Sequence, residues 1–254
     1  MITPYKEKYF PDHAFETLYR TEERNFWFRV RNKIIGNAII QYLPIRSRIL
    51  EMGCGTGYVS RYLKQLGFHI ECLDLFSDAL HFCRKRDSGY AYYQHNFSNL
   101  LFLEEFDGVC AFDVLEHIED DNLILKNIYN TLKPGGYVFI TVPADKQLWS
   151  AMDTYSEHKR RYSIQELRTK LEDTGFKVMK ISYFMTLLYP IVFIQRKLLS
   201  GKQVEQEVIN QLQPNAIINS LFFLIFSLEV PLLNLVTLPF GSSLICIAKK
   251  EGSL

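Results

Sequence analysis

Seven short runs rich in β-branched and aromatic residues alternate with helix-like segments along this chain, and that alternation narrows its architecture more than any other feature. The runs are RILEMG (48–53), HIECLDL (69–75), YAYYQHN (90–96), DGVCAFDV (107–114), GYVFITV (136–142), KVMKISYF (177–184) and SSLICIAKK (242–250). Such composition reads as strand. Several runs are almost continuously apolar, as strands covered by helices on both faces are. Between most of them lie helical patterns. YVSRYLKQLG closes on Gly67, SDALHFCRKR opens with Ser77 as its predicted cap, and DDNLILKNIYNTLKPGG is stopped by Pro134 and two glycines. SIQELRTKLEDTGF opens with a Ser163–Glu166 capping box and closes at Gly175. The pattern predicts an α/β fold with an open, mostly parallel sheet. Ligands of such sheets sit beyond the carboxyl ends of the strands, where strand order reverses. The turn after the first strand is therefore the expected site.

That turn reads ILEMGCGTG over 49–57. A dinucleotide turn is GxGxxG, with pyrophosphate resting on the next helix. Here Gly53, Gly55 and Gly57 are spaced GxGxG, and Glu51 precedes them. A carboxylate beside a pyrophosphate in a partly desolvated cleft is repelled. S-adenosylmethionine has no phosphate, and its sulfonium and ammonium groups favour nearby carboxylate and carbonyl oxygens. Asp74 ends the second run, 17 residues after Gly57, where a carboxylate can accept from both ribose hydroxyls. It would suit a nicotinamide dinucleotide equally, so Glu51 and the glycine spacing discriminate.

With ILEMGCGTG, LDL, FDVLEHIED and LKPGGYVFITVPA in hand, the chain resembles the class I S-adenosylmethionine-dependent methyltransferases over roughly 45–184 and the last strand. The resemblance implies a Rossmann-like sheet of seven strands, mostly parallel, whose last strand inserts antiparallel. It implies that Gly53, Cys54, Gly55 and Gly57 approach the methionine portion and that Glu51 orients it. Asp74 would hold the ribose and Leu75 would flank the adenine. Asn96 and Phe97 occupy the place where many relatives carry an acid for the adenine amino group. Backbone near Phe112 and Asp113 would face the methionine ammonium.

Methyl transfer is an in-line displacement at an activated carbon, so positioning supplies much of the catalysis. An oxygen acceptor gains from a base. Asp113, Glu116 and His117 fall at i, i+3 and i+4, sharing a face if the stretch turns helically, and His158 follows in SEHKRRYS. Glu116, His117 and His158 are the catalytic candidates, as general base or substrate-positioning groups. Together with Asp113 they could instead hold a divalent cation. That grouping resembles the ExxEH…H set of small-RNA 2′-O-methyltransferases and part of the ubiquinone-biosynthesis O-methyltransferases. No metal is assigned. Lys159, Arg160 and Arg161 with Tyr162 form either an anion clamp or a solvated loop.

Two segments flank this core. The N-terminal segment, 1–44, is expected as a helical cap, since Phe26, Trp27, Val30, Ile34, Ile35, Ala38 and Ile39 give an apolar face. It packs on the sheet or covers the substrate. The segment 185–240 intervenes before the last strand and includes about 20 residues whose one charge is Glu229, long enough for a membrane span. Pro231 interrupts it and 242–250 must return to the sheet, which argues against a span. Packed helices, an apolar or membrane-surface element for a lipid-like substrate, and a homodimer interface are the three readings. The domain proper is 45–184 plus 241–254.

Composition adds exclusions. A net charge of +1 makes nucleic acid an unlikely partner. Five scattered cysteines without a CxxC pair signal neither a disulfide framework nor a zinc site. The N-terminal residues lack the apolar core of a signal peptide, so a cytoplasmic setting, with or without peripheral membrane contact, is the expectation. The sequence thus predicts a methyltransferase acting at oxygen on a small or lipid-linked acceptor. The rivals are an inactive scaffold of the same fold that binds partners through 185–240, and, more weakly, a nicotinamide-dependent oxidoreductase.

Overall fold

The computed structural model describes residues 14–99, 102–198 and 215–252. Seven strands form one sheet: β1 (Arg48–Met52), β2 (His69–Asp74), β3 (Ala91–Gln94), β4 (Phe106–Phe112), β5 (Leu132–Pro143), β6 (Phe176–Phe184) and β7 (Ser243–Lys250). Their order is β3-β2-β1-β4-β5-β7-β6. Strands β1 to β5 pair in parallel, and β7 inserts antiparallel to both β5 and β6. Strand order reverses between β1 and β4, which places the expected site where the sequence put it.

The period-two alternation of strand side chains divides the interior into two layers. Ile49, Cys110, Phe139, Ile245 and Ile247 face one way. Leu50, Val109, Val138, Ile140, Leu244 and Cys246 face the other. The helices α3 (Tyr58–Gln65) and α4 (Ser77–Arg86) lie on the first face, and α5 (Asp121–Thr131) and α7 (Ile164–Asp173) on the second. A short helix, α6 (Ala151–Tyr155), stands between β5 and α7. The Ser163–Glu166 capping box forms as predicted, and α7 ends ahead of Gly175 at φ +99°.

Two local predictions are corrected. Ser77 is the first residue of α4 and Phe76 its cap; the side chain that serves this corner is Asp74, which accepts from the Phe76 N–H at 3.0 Å. Helix α5 stops at Thr131, before Pro134, because Leu132 already pairs with Phe106 and opens β5.

The flanking segments both pack inward. Helix α1 (Ala14–Thr21) precedes α2 (Phe26–Tyr42), which Asn25 caps by accepting from the Trp27 N–H at 2.8 Å. Phe26, Val30, Ile34, Ile35, Ala38 and Ile39 are buried against the first face of the sheet, each side chain stabilising by about 1–3 kcal/mol. Helices α8 (Tyr189–Leu198), α9 (Ala216–Ser227) and α10 (Glu229–Leu235) belong to the segment before β7. Phe226 and Leu233 join the core. Asn219 accepts from Phe26 N–H and donates to the Arg24 carbonyl, both at 2.7 Å, so α9 satisfies backbone groups at the start of α2.

Candidate functional site

The turn between β1 and α3 is built on backbone that glycine tolerates. Gly53, Gly55 and Gly57 have φ of +72°, +52° and +75°, a region costly for other residues. A Cβ on Gly53 would meet Val114 at 2.5 Å, and one on Gly57 would meet the Cys83 sulfur at 2.5 Å. A Cβ on Gly55 would meet nothing within 4 Å, so this residue presents bare backbone to open space. The Gly53 and Cys54 N–H groups donate to the Leu73 carbonyl at 2.8 and 3.2 Å, tying the turn to β2.

Asp74 holds the same turn from the other side, accepting from Gly55 N–H at 2.9 Å. Burial pushes its carboxyl up to about 6, against the backbone hydrogen bonds that favour the charge. Each oxygen keeps a lone pair for a hydroxyl donor. Leu75 is half-buried beside it. Asn96 uses its side-chain oxygen to accept from Ser98 N–H at 2.9 Å, which fixes the amide orientation, and Phe97 packs against the second layer.

Glu51 is buried and accepts from the Ser60 hydroxyl. Burial, and after it the Cys72 thiol, pushes its carboxyl up to about 8. The standing negative charge read from the sequence is therefore conditional. At neutral pH Glu51 keeps its proton until a cation nearby favours ionisation.

At the end of β4, Asp113 takes φ +55° and pairs with Arg31 of α2 at 2.5 Å. Leu115–His117 is a single 3-10 turn, so Asp113 does not join Glu116 and His117 on one helical face. Glu116, His117 and His158 do converge, with one donor atom from each within 4.8 Å of the others. Glu116 is buried, and neither carboxylate oxygen has a hydrogen-bond partner among the described residues. Burial and the Asp113 charge raise its carboxyl well above the usual range. The rings of His117 and His158 meet edge to face at 4.7 Å. Burial, then His158, pulls His117 down to about 4, so it is neutral at pH 7.

His158 is oriented by a group that sequence reading missed. Its Nδ1 lies 2.9 Å from Asp153 Oδ1. Arg161 grips the same carboxylate at 2.7 and 3.0 Å, and Ser150 N–H donates to it at 2.8 Å. Burial works against the Asp153 charge, but the His158 hydrogen bond and the Arg161 cation outweigh it and hold this carboxyl below the usual range. An ionised Asp153 makes Nδ1 the donor of this pair, and Nε2 is the ring nitrogen not held by Asp153. The Lys159 N–H donates to the Glu116 carbonyl at 2.6 Å, so the histidine-bearing loop is strapped to the turn after β4.

Residues 19–181 match the family described as a methyltransferase domain. The chain belongs to that family. It carries a methyltransferase domain, and the match spans most of the sheet and both halves of the site. The methyltransferase is 26% identical over 127 residues to the malonyl-[acyl-carrier protein] O-methyltransferase of Pectobacterium atrosepticum, covering 46% of this chain and 50% of that one. It is 31% identical over 104 residues to the ubiquinone biosynthesis O-methyltransferase of Xanthomonas axonopodis pv. citri, covering 39% and 44%. The chain thus spans about half the length of these curated relatives. In fold it is similar to Haemonchus contortus phosphoethanolamine N-methyltransferase 2, with a TM-score of 0.63 at 17% identity, covering 97% of this chain and 59% of that one.

The residues of the methyltransferase fit its cofactor. The open face of Gly55 admits close backbone approach, Asp74 offers free lone pairs, and Glu51 can ionise against a cation. Gly53 to Gly57 would lie along the methionine portion, Asp74 on the ribose, and Leu75, Asn96 and Phe97 around the base.

Other residues had no clear signal in the sequence. Arg31 is one of several polar positions on a helix that also carries an apolar face. Glu22 is buried beside the turn, where it takes hydrogen bonds from Thr56 and, at 2.8 Å, from Arg86. Asp153 did carry a signal, the S-x-x-D spacing of Ser150–Asp153, which is a capping box. Of the three cations read as either an anion clamp or a solvated loop, two are spent internally. Arg161 holds Asp153, Arg160 lies 3.1 Å from Asp121, and the buried Tyr162 donates to Asp121 at 2.8 Å. The sulfurs of Cys54, Cys72 and Cys83 cluster within 4.8 Å beneath the turn, a grouping that their spacing along the chain concealed.

Proposed function

We propose that this methyltransferase methylates an oxygen atom of a small or lipid-linked acceptor by in-line transfer, with His158 as the base. The observation that carries the proposal is the Asp153–His158 pair, anchored by Arg161 beside the neutral His117. S-adenosylmethionine supplies a methyl group already activated by a sulfonium sulfur, which leaves as the neutral thioether. His158 Nε2 takes the proton from the acceptor hydroxyl as its oxygen bonds the methyl carbon. Asp153 keeps Nδ1 protonated and steadies the imidazolium. His117, neutral and edge-on, positions the acceptor without adding charge. The two O-methyltransferase relatives support oxygen as the acceptor atom.

A second reading is favoured by Glu116, whose buried oxygens lack hydrogen-bond partners among the described residues. Glu116, His117 and His158 would hold a divalent cation that lowers the pKa of the acceptor hydroxyl. Dialysis against a chelator separates the two, since the base mechanism retains turnover and the cation mechanism loses it until magnesium or manganese returns. For the acceptor atom, the purified enzyme is incubated with methyl-labelled cofactor and panels of hydroxyl, carboxyl and amine acceptors. Label on oxygen supports the proposal; label confined to nitrogen or carbon rejects it.

A further inference from the structure

We infer that the outer face of α9 and α10 is a docking surface for an anionic phospholipid bilayer, on which the protein lies with these helices in the plane of the interface. The two helices run on from one another through Leu228, which has helical φ and ψ of −67° and −24°. Together they make a 20-residue apolar rod, Ala216–Leu235, most of it not buried, about 30 Å long.

Two stripes run along this rod at helical spacing. Phe222, Phe226, Glu229 and Leu233 point into the protein: Phe226 and Leu233 are core residues, and Glu229 accepts from Leu187 N–H at 3.0 Å. Ile217, Leu221, Leu224, Leu228, Leu232 and Leu235 form the opposite stripe, and all six are exposed, Ile217 by 79%, Leu228 by 68% and Leu235 by 83%. The one charged residue of the rod is turned inward, so the outer stripe is aliphatic throughout. An apolar surface of this continuity marks an interaction site.

The rod is long and apolar enough to cross a membrane, but it is held along the protein. Lys180 of β6 donates to the Leu233 carbonyl, and α9 is fastened to α2 through Asn219, so the apolar face can be covered only from outside. Charge decides what covers it. Arg29 and Lys33 of α2 flank α9 with their cations 3.7 and 4.3 Å from the Phe223 ring. Arg24 is exposed at the end of the same flank, and its neighbour Glu23 is engaged by Arg61 and Arg86. An apolar stripe with a basic border matches the acyl boundary and anionic headgroups of a bilayer. A protein interface core draws on aromatic, Met and Arg side chains, whereas this stripe is Ile and Leu alone. The inference concerns docking and stands apart from the acceptor proposed above.

Flotation of the full chain with vesicles tests it, using phosphatidylcholine alone and phosphatidylcholine mixed with phosphatidylglycerol. Binding is expected to both, and about tenfold tighter to the anionic vesicles. The double substitution Leu224→Glu/Leu228→Glu, at exposed positions, should abolish binding while S-adenosylhomocysteine titration still shows a folded cofactor site. Arg29→Glu/Lys33→Glu should erase the preference for anionic vesicles and keep the weaker apolar binding. If the intact protein floats with neither vesicle, the inference is overturned. If in addition it sediments as a dimer that Leu224→Glu/Leu228→Glu dissociates, the stripe is a subunit seam instead. Because no turnover is measured, failure here leaves the acceptor proposal untouched, and failure to methylate oxygen leaves the docking result standing.

Discussion

Arg31, in the second turn of α2, pairs with Asp113 at the end of β4 at 2.5 Å and reaches the Thr141 hydroxyl at 3.3 Å. A helix outside the sheet thereby places a buried cation at the switch point. Its charge acts to lower the carboxyl pKa of Glu22, Glu51 and Glu116 alike. The N-terminal helix is thus part of the electrostatics of the site as well as of its packing.

Removing one partner of this pair strands the other. Asp113→Ala is expected to destabilise the protein by about 2 kcal/mol, less than breaking a fully buried pair costs, because Asp113 is partly exposed. Arg31→Met should cost less, since an apolar chain of similar volume fills the space. Urea unfolding of both variants provides the check, and equal losses would show that the pair carries no special burden.

Glu51 makes stability and cofactor affinity depend on pH in opposite directions. Its folded-state pKa is raised from 4.5 to about 8, so across that window the folded state holds a proton that the unfolded chain releases. Stability therefore falls as pH rises from about 4.5 to about 8. A bound cation favours the ionised form, so affinity for S-adenosylmethionine should rise with pH over the upper part of the window and level off above it. Calorimetry in buffers of different ionisation enthalpy should reveal proton release, and Glu51→Gln should remove both slopes.

Asp74→Ala should weaken S-adenosylhomocysteine binding by roughly a hundredfold, because hydrogen bonds to a charged group contribute about 1.5–3 kcal/mol each. Gly57→Val should abolish it, as its Cβ would collide with Cys83 in a backbone region closed to valine. A thermal-shift titration distinguishes these losses from unfolding.

His158→Gln is expected to lower kcat by about a hundredfold or more while leaving S-adenosylhomocysteine affinity near that of the unmodified enzyme. Asp153→Asn should lower kcat too and also lower Tm, since Arg161 loses its buried partner. A His158→Gln enzyme with full kcat would remove the base from the mechanism.

The two stripes of α9 should respond differently to truncation. Phe226→Ala removes a core ring and is expected to cost about 3 kcal/mol. Leu224→Ala, on the outer stripe, should stay within about 0.5 kcal/mol in detergent-free solution. Denaturant midpoints of the two variants decide it.

Strand and helix positions were legible because burial imposes periods of two and 3.6 on the apolar residues, and those periods survive in one dimension. All seven strand segments appear within a few residues of their reading, and the GxGxG turn sits at the reversal of strand order. The bends were less legible. Asp113 would have shared a face with Glu116 had the stretch turned helically, but a left-handed φ and the pairing with Arg31 turn it away. The basic run 159–161 was read as either an anion clamp or a solvated loop, yet Asp121 and Asp153 claim two of its three members. Such pairings join residues whose separation along the chain carries no period.

Taken alone, the sequence determined the sheet, the cofactor turn and the class of chemistry, since each rests on local spacing: alternation within a strand, glycine where φ is positive, an acid at a strand end. Tertiary structure alone decided which charges are spent and which are free. It set Arg31 against Asp113, Asp153 behind His158, and three thiols under the glycine turn. It also decided which side of the apolar rod faces out, because burial depends on the residues that a fold brings from far along the chain.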